Sequence, residues 1–147
     1  MTVRLTNAQR EVAVNMRRMS RFTRCAIQRL RVRSLGRLAI TFIDSRSLRA
    51  LNKRFLHHDR PTDVLSFRYD REPVVGDILI APRQAHSYAR RHRILYEQEL
   101  ARYVAHGLLH WLGYQDDTFK QQHRMRRKEN QILRQCGSWL GARGSGC

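Results

Sequence analysis

Apolar positions recur along this chain with two periods, and the alternation of those periods predicts its elements. Met16, Met19, Phe22, Ala26, Ile27 and Leu30 recur at three- and four-residue steps, so residues 14–33 read as an amphipathic helix. Arg17, Arg18, Arg21, Arg24 and Arg31 take much of its remaining surface. Leu38 to Ile43 is compact and rich in strand-forming side chains. Asp44 or Ser45 offers an oxygen to the free N–H groups of a following helix, which runs to about Phe55 with Leu48, Leu51 and Phe55 inward. Residues 56–63 hold two histidines, an aspartate and a proline and follow neither period, so they read as a loop. Val64–Tyr69 and Val74–Ile80 read as strands on either side of a turn at Glu72-Pro73. Pro82 suits the first turn of a helix to about His92. Two more helices are predicted, over Tyr96–Leu112 and Thr118–Leu133, and a short first strand over Val3–Leu5. The sum is an α+β domain: a small mixed sheet of about four strands packed with about five helices.

At 147 residues the chain has enough length for one core and not for two. The expected single domain spans residues 1–136. A Gly-rich stretch, 137–147, reads as a flexible tail. No signal peptide and no long apolar anchor is visible, which argues against a membrane partner. Cys25, Cys136 and Cys147 make an odd number without metal-like spacing, which suggests free thiols in a cytoplasmic protein.

The chemistry concentrates in residues 106–117. His106 and His110 stand four residues apart in a helix-compatible run, so their rings stack on one face, a turn apart. Gly113 can end that helix in the left-handed conformation, and the chain can then bring Asp116 back toward the histidines, with Asp117 as a fallback. Two nitrogens and a carboxylate oxygen with a fourth position open is the layout of a catalytic zinc centre. Zinc peptidases place a glutamate base directly after the first histidine. Here that position is Gly107, which argues against peptide hydrolysis. Glu99 shares the histidine face, with Arg102 beside it, and reads as a salt-bridging or orienting residue.

Charge then narrows the substrate. Lys and Arg number 29 against 12 acids, a net charge of +17. Only Lys53, Lys120 and Lys128 are lysines, so the rest are arginines, whose planar fork suits phosphate. A G+C-rich genome would explain the preference for Arg over Lys, but not the excess of base over acid. Bases crowd residues 4–54 and the chain from Lys120 onward, while most acids lie between Asp59 and Asp117. Basic flanks of this kind would hold a polyanion while an acid-containing centre acts on it.

The run His106-Gly107-Leu108-Leu109-His110-Trp111-Leu112-Gly113-Tyr114 resembles the H-G-x-L-H-L-x-G-Y signature of the YbeY family. Pro61-Thr62-Asp63-Val64-Leu65-Ser66-Phe67 resembles that family's second signature, and Gly76-Asp77-Ile78 its Gly-Asp-Ile strand element. The resemblance extends from about Val3 to Leu133. It implies a single-strand-specific endoribonuclease that acts on ribosomal RNA and the ribosome, in RNA maturation and ribosome quality control, in the bacterial cytoplasm. It also implies a zinc ion on three histidines. His106 and His110 match two of them, and Asp116 stands at the third, a harder donor that tilts the site toward ions such as Mn. The family's functional Arg falls on Leu56, so a neighbouring cation must replace it if the chain is catalytic. His57 and Arg60 are the candidate catalytic residues on that ground. Two rival functions stand beside this one: a non-catalytic ribosome-associated RNA-binding protein with a structural metal, which the Leu56 departure favours, and a zinc peptidase, against which Gly107 and the basic charge count.

Overall fold

A computed structural model describes residues 1–33, 36–56, 63–70 and 73–141 of the chain, with the side chains of residues 55 and 56 left aside. In chain order the elements are β1 (Thr2–Ala8), α1 (Met16–Arg29), β2 (Arg37–Ile43), α2 (Ser45–Leu56), β3 (Val64–Arg68), β4 (Val74–Ile80), α3 (Pro82–His92), α4 (Tyr96–Trp111) and α5 (Phe119–Cys136). The strands form one sheet in the order β1-β2-β4-β3. β1, β2 and β4 run parallel, while β3 pairs antiparallel with β4. The short link between β3 and β4 allows a hairpin, whereas parallel neighbours need helical crossovers, here through α1 and α2. The expected mixed sheet of four strands with five helices is the architecture observed.

Alternation along the strands divides the sheet into two faces. Leu38, Ile40 and Phe42 of β2 and Ile78 and Ile80 of β4 join Met19 and Phe22 of α1 and Leu100, Val104 and Leu108 of α4 in the main core, all essentially inaccessible. The opposite face carries a smaller cluster of Leu48, Leu65 and Ala81, with Leu79 directly across from Leu65. α4 is central. It touches β3, β4, α1, α3 and α5. Tyr103, Ala105 and Leu109 are therefore buried as well as Leu100, Val104 and Leu108, and the helix has no single apolar face.

Gly107 explains how α4 comes so close to the sheet. A Cβ there would lie 2.6 Å from Ile78 Cγ2 and 3.0 Å from Val64 Cγ1. The Ser66 hydroxyl donates to the Gly107 carbonyl at 2.8 Å across the same interface. The position that holds the glutamate base in zinc peptidases thus points into the sheet, where no base has room.

Three expectations need correction. β1 has 7 residues, more than twice the predicted length, because its whole run pairs in register with β2, from Thr2 opposite Arg37 to Ala8 opposite Ile43. The supposed tail begins docked. Leu140 is buried, Gln98 Nε2 donates to the carbonyls of Gly137 and Leu140, and the Arg21 guanidinium lies 4.5 Å from the centre of the Trp139 ring. The cause is apolar: Trp139 and Leu140 find the main core beside α1 and α4. Residues 142–147, including Cys147, lie outside the described residues. Finally, the expectation of free thiols fails for Cys25 and Cys136, which form a disulfide between α1 and the end of α5, where the two helices pack together.

Candidate metal centre

The two histidines reach the site because α4 presents residues four apart on one face and then stops. Its last turn closes through Gly113 N–H to His110 O (2.9 Å) and Tyr114 N–H to Leu109 O (2.9 Å). Gly113 has φ of 105°, a left-handed value that a Cβ would strain. The chain folds back from there. Asp116 Oδ2 comes to 3.2 Å from His110 Nε2 and 3.5 Å from His106 Nε2. One ligand atom from each of His106, His110 and Asp116 can be chosen so that all lie within 4.8 Å of one another. The three predicted ligands are therefore brought together, each half-buried and reachable from solvent. Asp117 is exposed, and its backbone N–H donates to Gln121 Oε1 in the cap of α5.

The donor set fits a divalent ion on one further observation. His106 Nδ1 lies 2.6 Å from Glu129 Oε2, a side chain only 5% exposed. A carboxylate accepts, so Nδ1 carries the proton and the Nε2 lone pair is left facing Asp116. A carboxylate behind a ligating histidine is the usual outer support of a metal centre. Glu129 is itself fixed from the far side, since Arg102 Nη1 donates to its Oε1 at 3.0 Å and Arg102 Nη2 donates to Asn130 Oδ1 at 2.9 Å. Burial disfavours the charged imidazolium of His106. The hydrogen bond and charge of Glu129, with the charges of Asp116 and Asp63, outweigh that and hold its pKa above the ordinary value. Anions that favour a proton there also favour a metal cation.

A cleft of about 410 Å³ opens from His106 and Asp116. Asp63, Glu99, Tyr103 and Arg126 line it. Asp63 as a residue is exposed, yet its carboxyl faces inward toward Tyr103 and His106. Desolvation pushes that carboxyl above the ordinary range, opposed by a hydrogen bond from Tyr103 and the charge of His106. Burial likewise raises Glu99, against the pull of Arg102 and Arg126. Arg102 forms its ion pair with Glu129, so the orienting role expected of Glu99 falls to Glu129. Sequence reasoning passed over Glu129 and Asp63. The first had a visible signal, as the lone acid of a strongly basic helix; the second lay inside a quoted block without a role. His57 and Arg60, the candidate catalytic residues, lie outside the described residues.

Comparison with known proteins agrees with this picture. A family model described as Endoribonuclease YbeY matches residues 4–137. A protein named Endoribonuclease YbeY from an Anaeromyxobacter species is 39% identical over 125 residues, a match covering 76% of this chain and 65% of that one, just under two thirds of its length. One of the same name from Flavobacterium johnsoniae is 34% identical over 99 residues, covering 67% and 71%. One from Pelotomaculum thermopropionicum is 31% identical over 145 residues, covering 90% and 95%. The solution structure of TM1509 from Thermotoga maritima shares the fold, with a TM-score of 0.60 at 22% identity over 90% of this chain and 89% of that one.

Proposed function

Because the chain belongs to the Endoribonuclease YbeY family, we propose that it is a metal-dependent endoribonuclease that cuts single-stranded ribosomal RNA, in maturation and quality control of ribosomes in the cytoplasm. The observation that carries this reading is the convergence of His106, His110 and Asp116 at the mouth of a cleft, backed by the buried Glu129. The +17 charge supplies the attraction to a polyanion. Among the described residues no helix is long and apolar enough to cross a membrane.

Zinc is the ion proposed for the three donors, with the Asp116 oxygen widening the choice toward harder ions. When bound, such an ion supplies Lewis acidity toward a phosphoryl oxygen and activates water. The chain's own residues do the rest. Glu129 holds His106 in the tautomer that presents Nε2. Arg126 stands on the cleft wall, where it can meet a phosphate oxygen, and His57 and Arg60, which precede β3 in the sequence, are the further candidates for that role.

The test is metal analysis of the purified protein together with cleavage of an unstructured RNA by wild type and His110→Ala. Wild type should hold one divalent ion per chain and cut the RNA, and His110→Ala should lose both. Chelation should abolish cleavage while circular dichroism stays folded. Unfolding on chelation would instead mark a structural metal and the RNA-binding rival, for which the Leu56 departure is the specific argument.

A further inference from the structure

α5 has two faces of different chemistry. Met125, Glu129, Ile132, Leu133 and Cys136 are buried toward α1 and α4. On the outer side Lys120, His123, Arg124, Arg127, Lys128 and Arg134 line a groove of about 940 Å³. At about 100° per residue these six fall within roughly 140° of arc, and at about 1.5 Å per residue the stripe is about 21 Å long. Among the described residues no ion pair joins Lys120, Arg124, Arg127, Lys128 or Arg134 to a carboxylate. The helix's one acid is turned inward to His106 and Arg102. Like charges one turn apart, such as Lys120 with Arg124 and Arg124 with Lys128, destabilise a helix. A bound polyanion would relieve that cost.

Two aromatic side chains distinguish this stripe from a merely solvated face. Tyr114 lines the groove and lies under the Arg124 guanidinium, 5.5 Å from its ring centre. Phe119, the first residue of α5, is 88% exposed among the described residues. Tyr114 stands two residues before Asp116 and Phe119 three residues after it, so both belong to the segment that links α4 and its proposed ligand to α5. Tyr114 is half-buried against the core, while the Phe119 ring is open to solvent; aromatic rings beside a row of cations are what sequence-tolerant binding of single strands uses, with bases stacking while Lys and Arg follow the phosphates. An acidic protein would use the cations but not the rings.

We infer that the outer face of α5, with Tyr114 and Phe119, is a second RNA-binding site that holds the strand beyond the cleavage point. The inference rests on the nuclease reading above, and it assigns the face to RNA phosphate and base. The stripe strengthens binding only for an RNA long enough to leave the cleft and follow the helix.

The test compares the protein with its triple variant Arg124→Gln, Arg127→Gln, Lys128→Gln. Glutamine keeps helix propensity, and circular dichroism confirms the fold. Binding of unstructured RNAs of about 6 and about 20 nucleotides is measured in a His110→Ala background, and cleavage in the metal-loaded protein. The longer RNA should bind at least tenfold tighter than the shorter in the parent and lose that advantage in the triple variant. The slope of log affinity against log salt should flatten by about 2, at about 0.7 for each phosphate that the three removed cations no longer neutralise. Turnover of the short RNA should be unchanged. A triple variant that binds the long RNA with unaltered affinity and slope, in a protein that still cleaves, overturns this site and leaves the nuclease reading standing. A parent that neither binds nor cleaves either RNA overturns both. Loss of binding to polyglutamate with RNA binding intact would give the face to an acidic protein and overturn the assignment.

Discussion

Glu129 shows how one side chain can serve fold and site together. Its carboxylate receives Arg102 on one oxygen and His106 on the other, inside the protein. Removing an outer-shell partner of this kind typically lowers metal affinity 10–100-fold. Glu129→Gln should therefore weaken metal binding by about that factor, read by competition with a chromophoric chelator, while His106 and His110 remain in place. Unchanged affinity would mean that His106 is oriented by its packing alone. The histidine pair and the carboxylate after the glycine were legible in the sequence because helix periodicity fixes their spacing. The partnership with Glu129 was not, because it joins residues 23 apart on different helices. Gly107 is a second case. Gly107→Ala would place a methyl 2.6 Å from Ile78 Cγ2. Forced overpacking of this kind costs about 1–3 kcal/mol, so the melting temperature should fall; an unchanged melting curve would show that α4 can shift freely on the sheet.

At the level of elements, the sequence carried most of the fold because each helix and strand has its own period and its own stop signals. Asp44 is an example. The Ser47 N–H donates to its Oδ2 at 2.9 Å and the Ser47 hydroxyl donates to its Oδ1 at 2.7 Å, which settles the choice of cap for α2 in favour of Asp44 over Ser45. Those two bonds hold the Asp44 carboxyl below its ordinary value. A depressed folded-state pKa gives stability that is present above the unfolded-state value and is lost as pH falls through the folded-state value. Asp44→Ala should cost about 1 kcal/mol at neutral pH by loss of the cap. The gap to wild type should close in acid, where the wild-type cap is protonated too. Thermal melts at neutral and strongly acid pH measure both, and a gap that persists in acid would assign the cost to something other than the charged cap. Strand order and the docking of residues 137–141 were not legible, since both depend on which apolar faces meet after the elements form.

For the whole molecule, four of the twelve acids, Asp63, Glu99, Asp116 and Glu129, line one cleft, in a chain of net charge +17. On the nuclease reading proposed above, a cation must face the scissile phosphate, and the sequence expectation that Leu56 takes the place of a functional arginine puts that role on a neighbour. His57 and Arg60 follow directly in the chain and precede Asp63, whose carboxyl faces His106. Arg126 is a described cation that lines the cleft from α5. The loop cations are the better placed in sequence, because they share their segment with the Pro61-Thr62-Asp63 block, whereas Arg126 also pairs with Glu129 at 3.8 Å. Loss of one group that stabilises developing charge costs about 3 kcal/mol of barrier, a hundredfold or so in rate. The double variant His57→Ala, Arg60→Ala should therefore lower kcat on RNA by at least that factor, with metal content unchanged because the proposed ligands are His106, His110 and Asp116. A double variant that cleaves at the wild-type rate would move the role to Arg126, and Arg126→Ala would then carry the loss. If instead Leu56→Arg raises a rate that is near zero in the parent, the protein is a weakened nuclease whose main work is to hold RNA, and the basic surface matters more than the metal centre.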